Sequence, residues 1–183
     1  MDLPENRENI QANAPNVAAE LTKVLNKYPE IIFTDEKHTT RTNLVQCKIW
    51  IKHDRPIKTR LRPLSPEKRQ WLQKEVDELL AAGVICPSHS PYAAAPVIVK
   101  KKDGTWRLAL NYRPINKDSY DFLYPLPKIA EIFDQFNDAT WFTSLDLVRG
   151  YWQIAMDPDS IKYTTFIIPF GQYEFLVMPF RLK

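Results

Sequence analysis

The sequence predicts an α+β fold in which helices pack on mainly antiparallel strands. Three observations carry this. Ser65-Pro66 opens an apolar helical stripe that Gly83 closes. Two strand-like runs flank Asp103-Gly104, a strong hairpin signal. A second amphipathic stretch, Pro127 to Phe136, precedes a series of short strand-like runs.

Taken in order, residues 1–16 are polar, rich in Asn and Glu, and predict disorder. Val17 to Tyr28 predicts a short helix, with Leu21, Val24, Leu25 and Tyr28 on one face. Asn43 to Ile51 reads as a strand. Residues 53–64 read as an extended basic connector, with Arg55, Lys58, Arg60 and Arg62 interleaved with Pro56 and Pro63. In the helix that follows, Trp71, Leu72, Val76, Leu79 and Leu80 supply the apolar stripe. The hairpin strands are Val97 to Lys101 and Thr105 to Leu110. The helix at Pro127–Phe136 turns Ile129, Ile132, Phe133 and Phe136 to one side. Trp141 to Leu147, Tyr151 to Met156 and Tyr163 to Ile168 predict strands, and Gly171-Gln172 turns the chain into a last strand, Tyr173 to Met178.

At 183 residues with 44% hydrophobic content, the chain has the size and composition of about one globular domain. Net charge is only +3, but it is unevenly placed. Lys48 to Lys117 holds 15 Lys+Arg against 6 Asp+Glu, giving +9, while the flanks carry −2 and −4. A basic middle between acidic ends suits a polyanion, although a merely solvated face has the same composition. Cys47 and Cys86 follow no metal or redox spacing and read as buried free thiols in a reducing compartment. His38, His53 and His89 match no zinc pattern and read as surface residues. No apolar run reaches membrane-spanning length and no signal layout is present, so the expected location is cytoplasmic or nuclear.

The candidate chemistry centres on Thr143-Ser144-Leu145-Asp146-Leu147-Val148-Arg149-Gly150-Tyr151-Trp152-Gln153-Ile154. One carboxylate, Asp146, ends an apolar run beside a Gly-Tyr pair, a plausible place for a divalent cation and a phosphate. By itself, a strand-end aspartate more often caps or solvates a turn. Three further stretches change that balance: Ser90 to Arg107 with its Val-Ile-Val-Lys-Lys-Lys-Asp-Gly core; Asn111-Tyr112-Arg113-Pro114-Ile115-Asn116-Lys117 with Tyr124-Pro125-Leu126-Pro127; and Phe170-Gly171-Gln172-Tyr173-Glu174-Phe175-Leu176-Val177-Met178-Pro179-Phe180. From about Pro56 to Phe180, their order and spacing resemble the fingers and palm of the reverse transcriptases of gypsy-type LTR retrotransposons.

The resemblance implies fingers and partial palm of a right-hand reverse transcriptase fold over residues 53–183, with residues 1–52 a connector upstream of the polymerase. It implies RNA-directed DNA polymerisation, with an RNA template, a DNA primer and deoxynucleoside triphosphates as partners and Mg²⁺ as cofactor. Asp146 matches the family's first catalytic aspartate, and the Leu147 carbonyl a backbone metal ligand. Arg149 and Gly150 would present amides to the triphosphate. Tyr151 matches the aromatic gate against a ribose 2′-hydroxyl; read from residues alone it is a core tyrosine. Lys101 and Arg107 match the fingers residues that grip the triphosphate, where the residues alone show a solvated hairpin edge. Phe180 matches a residue against the base and sugar. Trp106 and Tyr112 read as core.

Two departures accompany the match. Arg181 stands where the family has glycine, and Asn111 replaces a usual aspartate. The Tyr-x-Asp-Asp segment of the family does not occur among the 183 residues, which hold no Asp-Asp pair. Mg²⁺ wants octahedral oxygen ligation, so one aspartate is expected to leave this chain inactive alone. Tyr173 to Met178 is then expected to expose an apolar edge. The alternatives are a non-catalytic, domesticated nucleic-acid-binding fragment and an unstable relic.

Overall fold

A computed structural model describes residues 15–29, 40–140, 142–144 and 146–182. The chain divides into two units, Met1–Thr39 and Thr40–Lys183. In the first, α1 spans Pro15–Leu25, ending short of the predicted Tyr28, which is exposed. The polar segment 1–14 and His38 lie outside the described residues.

The second unit is built around helix α2, Pro66–Ala81. Ser65 caps it, its hydroxyl accepting from the Lys68 amide, and Pro66 takes a first-turn position where no donor is needed. At the other end the Val84 amide donates to Leu79 O and the Gly83 amide to Leu80 O, both at 3.0 Å. This is a Schellman closure, and Gly83 adopts the left-handed φ of +63° that it requires. Leu72 and Val76 are fully buried and Leu79 nearly so, while Trp71 and Leu80 pack at the margin of the core.

After that turn, β2 (Ile85–Pro87) pairs antiparallel with β7 (Gly171–Phe175), which also pairs with β6 (Phe166–Ile168). The sheet order is β2-β7-β6, so β7 is its central strand. The expected exposed edge is therefore corrected: β2, too short to show a period, covers one side and β6 the other, and Val177 is 1% exposed. The turn between β6 and β7 is Pro169-Phe170; Gly171 and Gln172 already lie in the strand.

The hairpin forms as expected from β3 (Pro96–Lys100) and β4 (Trp106–Leu110). Its tip is closed by Gly104 N donating to Lys101 O and Lys101 N donating to Thr105 O, with Gly104 at φ +86°. Trp106 is half-buried and meets Trp71 edge-on at 5.8 Å. Tyr112 is 1% exposed and donates its hydroxyl to Thr164 O at 2.6 Å, so it is core as expected, whereas Trp106 is corrected to a residue at the rim, packed on Trp71 outside the core cluster. A short helix not anticipated from the sequence, α3 (Arg113–Asp118), follows, with Pro114 in its first turn.

Three predicted strands take other forms. Asn43–Ile51 is an extended ribbon of which only β1 (Gln46–Cys47) pairs regularly, in parallel with β5 (Ala155–Met156). Tyr151 opens a 3-10 turn, Gly150–Gln153, before β5 begins. Trp141 and Leu145 lie outside the described residues; Phe142–Ser144, Asp146 and Leu147 form no strand, with no partner ladder among the described residues. Helix α4 (Ile129–Asp134) is shorter than predicted, and Ile129 and Phe133 on its apolar face are exposed.

Cys47 and Cys86 are free and half-buried, and burial raises both thiol pKa values above the ordinary range; at Cys86, Glu174 adds to the effect. His53 and His89 are exposed. Among the described residues, no helix is long and apolar enough to cross a membrane.

Candidate functional site

The segment from Asp146 to Gln153 makes a tight, strained turn. Asp146 is exposed and Leu147 is 69% exposed. Arg149 sits in the left-handed region at φ +46°, ψ +45°, where a side chain costs of order 1 kcal/mol or more. What holds it there is local. Its carbonyl accepts from the Trp152 amide at 2.7 Å, its guanidinium lies 4.3 Å from the Trp152 ring centroid, and Gln153 Nε2 donates to Val148 O. Gly150 allows the chain to close on itself: a Cβ there would stand 3.2 Å from Leu147 Cβ. The Leu147 side chain fills the space beside Gly150.

The second half of the site arrives from β7 and beyond. Met156 N donates to Leu176 O and Met178 N to Ile154 O, an antiparallel register with Ala155 opposite Val177. Beyond that ladder, whose register would set Trp152 opposite Phe180, the 3-10 turn Gly150–Gln153 brings Tyr151 against Phe180, edge to face, with centroids 5.1 Å apart. Both rings are about half exposed, at 50% and 52%, so the reading of Tyr151 as a core residue is corrected. Trp152 backs the pair, 6.5 Å from Phe180, and its buried indole N–H has no partner. Arg181 follows at φ +67°, with its carbonyl held by Asn116 Nδ2 at 2.8 Å.

Lys101 and Arg107 lie on the hairpin. Arg107 is opposite Val99, and Lys101 is two residues beyond Val99, so both belong to the same exposed face. Among the described residues, no hydrogen bond or ion pair joins their side chains to the Tyr151–Phe180 pair. The structure brings Arg149, Gly150, Tyr151 and Phe180 into one cluster and sets Lys101 and Arg107 together on the hairpin.

The sequence reading passed over Trp152 and Asn116. Trp152 was hidden inside an apparent strand, where alternation reads it as one more apolar position. Asn116 had a signal only in its motif.

A divalent cation site is not complete in these residues. Asp146 and the Leu147 carbonyl offer oxygen ligands, but no group of three or more His, Cys, Asp or Glu side chains forms among the described residues.

Comparisons with known proteins bear on the family and the fold. Residues 99–182 match the family described as reverse transcriptase (RNA-dependent DNA polymerase). The chain is 32% identical over 168 residues to the retrovirus-related Pol polyprotein from transposon 297 of Drosophila melanogaster, covering 89% of this chain and 16% of that one. It is 36% identical over 131 residues to the enzymatic polyprotein of cauliflower mosaic virus, covering 69% and 19%. The chain thus spans under a fifth of the length of these relatives. The prototype foamy virus protease–reverse transcriptase superimposes with a TM-score of 0.78 at 26% identity, over 94% of this chain and 23% of that one. The foamy viral enzyme in complex with RNA/DNA hybrid gives 0.75 at 23%, over 94% and 23%.

Proposed function

Because the chain is a reverse transcriptase segment of the kind found in retrotransposon Pol polyproteins, we propose that it supplies the fingers and the nucleotide-facing half of the palm to RNA-directed DNA synthesis. The gypsy-type LTR elements are the lineage its motifs fit best. The observation that carries the reading is the meeting of Tyr151 and Phe180, two residues that the motifs assign separately to one nucleotide site.

In this reading, residues 53–183 are the polymerase part and residues 1–52 an upstream connector, the end of which folds onto it through β1. Lys101 and Arg107 grip the triphosphate from the hairpin face they share, the Lys as a point charge and the Arg as a fork. The Arg149 and Gly150 amides face the same phosphates across the turn. Tyr151 blocks a ribose 2′-hydroxyl, and Phe180 packs against base and sugar. Asp146 and the Leu147 carbonyl are this chain's contribution to a divalent cation site, Mg²⁺ by the resemblance, which the described residues do not complete. The basic run from Arg55 to Arg62 follows the template–primer backbone, independent of sequence.

Acting by itself, the 183-residue chain is expected to bind nucleic acid without polymerising, since it offers one of the carboxylates that the chemistry needs. This second reading, binding without catalysis, is favoured by the absence of a carboxylate cluster among the described residues. Replacing the matching stretch of the foamy virus protease–reverse transcriptase with residues 53–182 tests the first. Primer extension on an RNA template should depend on Asp146, and Tyr151→Ala should admit ribonucleotides. A folded graft whose extension is indifferent to Asp146→Ala would reject the assignment.

A further inference from the structure

The ribbon from Gln46 to Lys52 alternates without a break. Cys47, Ile49 and Ile51 turn inward, while Gln46, Lys48, Trp50 and Lys52 face solvent. Its backbone is held along its length: Cys47 O accepts from Asp157 N, Ile49 N donates to Ser160 Oγ, Trp50 O accepts from Tyr120 N, and Lys52 N donates to Asp118 O. The outward row is therefore cation, ring, cation on a fixed strand. The adjacent segment adds Tyr120 and Phe122, both exposed.

These groups touch one another. Lys48 Nζ lies 4.6 Å from the Trp50 ring centroid and Lys52 Nζ 5.7 Å from that of Tyr120. The Trp50 and Phe122 rings stand 6.3 Å apart at 58°. Together with Tyr120 they line a cleft of about 370 Å³ to which Ile49, Ile154 and Met178 also contribute. That volume lies at the lower end of the range of about 300–1,000 Å³ usual for small-ligand sites.

We propose that this face binds an unpaired stretch of nucleic acid, with one base stacked in the cleft against Trp50 and Phe122 and the flanking phosphates at Lys48 and Lys52. The site rests on the reading of the chain as nucleic-acid-binding and gives that reading a single-strand subsite away from Tyr151 and Phe180. Two features favour this occupant over a protein. Lysines alternate with the rings, whereas the centre of a protein–protein patch is depleted of charge. The face opens the +9 stretch that begins at Lys48. Of the nearby carboxylates, Asp118 takes His53 at 2.8 Å, and Asp157, 4.0 Å from Lys48, is the one that a phosphate at Lys48 displaces. Base–aromatic stacking on such a platform tolerates any sequence.

The test uses the 183-residue chain and an unstructured single-stranded RNA 12-mer carrying 5-iodouridine. Ultraviolet cross-links are expected at Trp50 or Phe122. The double variant Trp50→Ala, Phe122→Ala should bind the 12-mer about 5-fold or more weakly, the low end of one lost stack, while Trp50→Phe retains most affinity. Binding to a blunt RNA–DNA hybrid should be unchanged in both, which also shows that they fold. If single-strand affinity is unaltered while hybrid binding persists, the cleft proposal falls and the broader reading stands. If the wild-type chain binds neither nucleic acid at low salt, both fall. Self-association lost on Trp50→Ala, without single-strand binding, would assign the face to a second copy of the chain and overturn the proposal.

Discussion

Tyr151 and Phe180 meet ring edge to ring face at 5.1 Å, where the 3-10 turn Gly150–Gln153 leads into the antiparallel pairing of Ile154–Met156 with Leu176–Met178. The contact predicts energetic coupling. A double-mutant cycle of Tyr151→Ala and Phe180→Ala, measured by urea unfolding, should return about 0.5 kcal/mol, the low end for an aromatic pair because both rings are half exposed. Strict additivity would mean that the rings do not touch in solution.

Arg181 holds φ +67° at the position where the resemblance has glycine. A glycine relieves the left-handed strain at the cost of a freer unfolded chain. Arg181→Gly should therefore stabilise by about 0.5–1 kcal/mol, raising Tm by roughly 1–4 °C. Arg181→Val, β-branched at the same φ, should lower it. Calorimetry on the two variants reads both signs.

Helix α2 supplies a graded set. Ser65→Ala removes the acceptor for the Lys68 amide and should cost about 1 kcal/mol. Leu72→Ala opens a cavity at a fully buried site and should cost about 2–5 kcal/mol. Equal effects in urea unfolding would contradict the burial order.

Much of this helix was legible because its signals are local: a serine cap, a first-turn proline, a closing glycine. The β3–β4 hairpin was legible for the same reason. What the sequence misplaced depends on partners distant in the chain. The last strand was expected to lie at an edge because β2, three residues long and ending in proline, carries no periodicity. Tyr151 to Gln153 alternates like a strand, yet the left-handed Arg149, stacked on Trp152, and the close approach at Gly150 wind it into a 3-10 turn. At the site, motifs named Arg149, Gly150, Tyr151 and Phe180 singly, and only the fold of the 3-10 turn Gly150–Gln153 against the segment after Met178 joins Tyr151 to Phe180. Tyr151 alone looked like a core residue because aromatic content says nothing about which side faces solvent.

At the hairpin tip, Asp103 Oδ1 accepts from the Thr105 hydroxyl at 2.6 Å and the Thr105 amide at 2.8 Å. Both bonds favour the carboxylate, the hydroxyl bond more, so its pKa falls below the ordinary 3.8. A lowered folded pKa means that this turn's contribution is present above pH 3.8 and is lost as pH falls through the lower folded value. The Thr105 amide proton should titrate in NMR with a midpoint below 3.8, and Asp103→Asn should abolish that titration. A midpoint above 3.8 would contradict the bonds.

The most direct test of the central claim, that this chain is the nucleic-acid-gripping part of a reverse transcriptase, is its affinity for an RNA–DNA hybrid across a salt series. Sequence-independent binding is predicted, with log K falling linearly against log salt. Replacing Arg55, Lys58, Arg60 and Arg62 by Ala should flatten that slope by about 1 for each residue that contacts a phosphate. Affinity that is indifferent to salt, or no binding at low salt, would contradict the account.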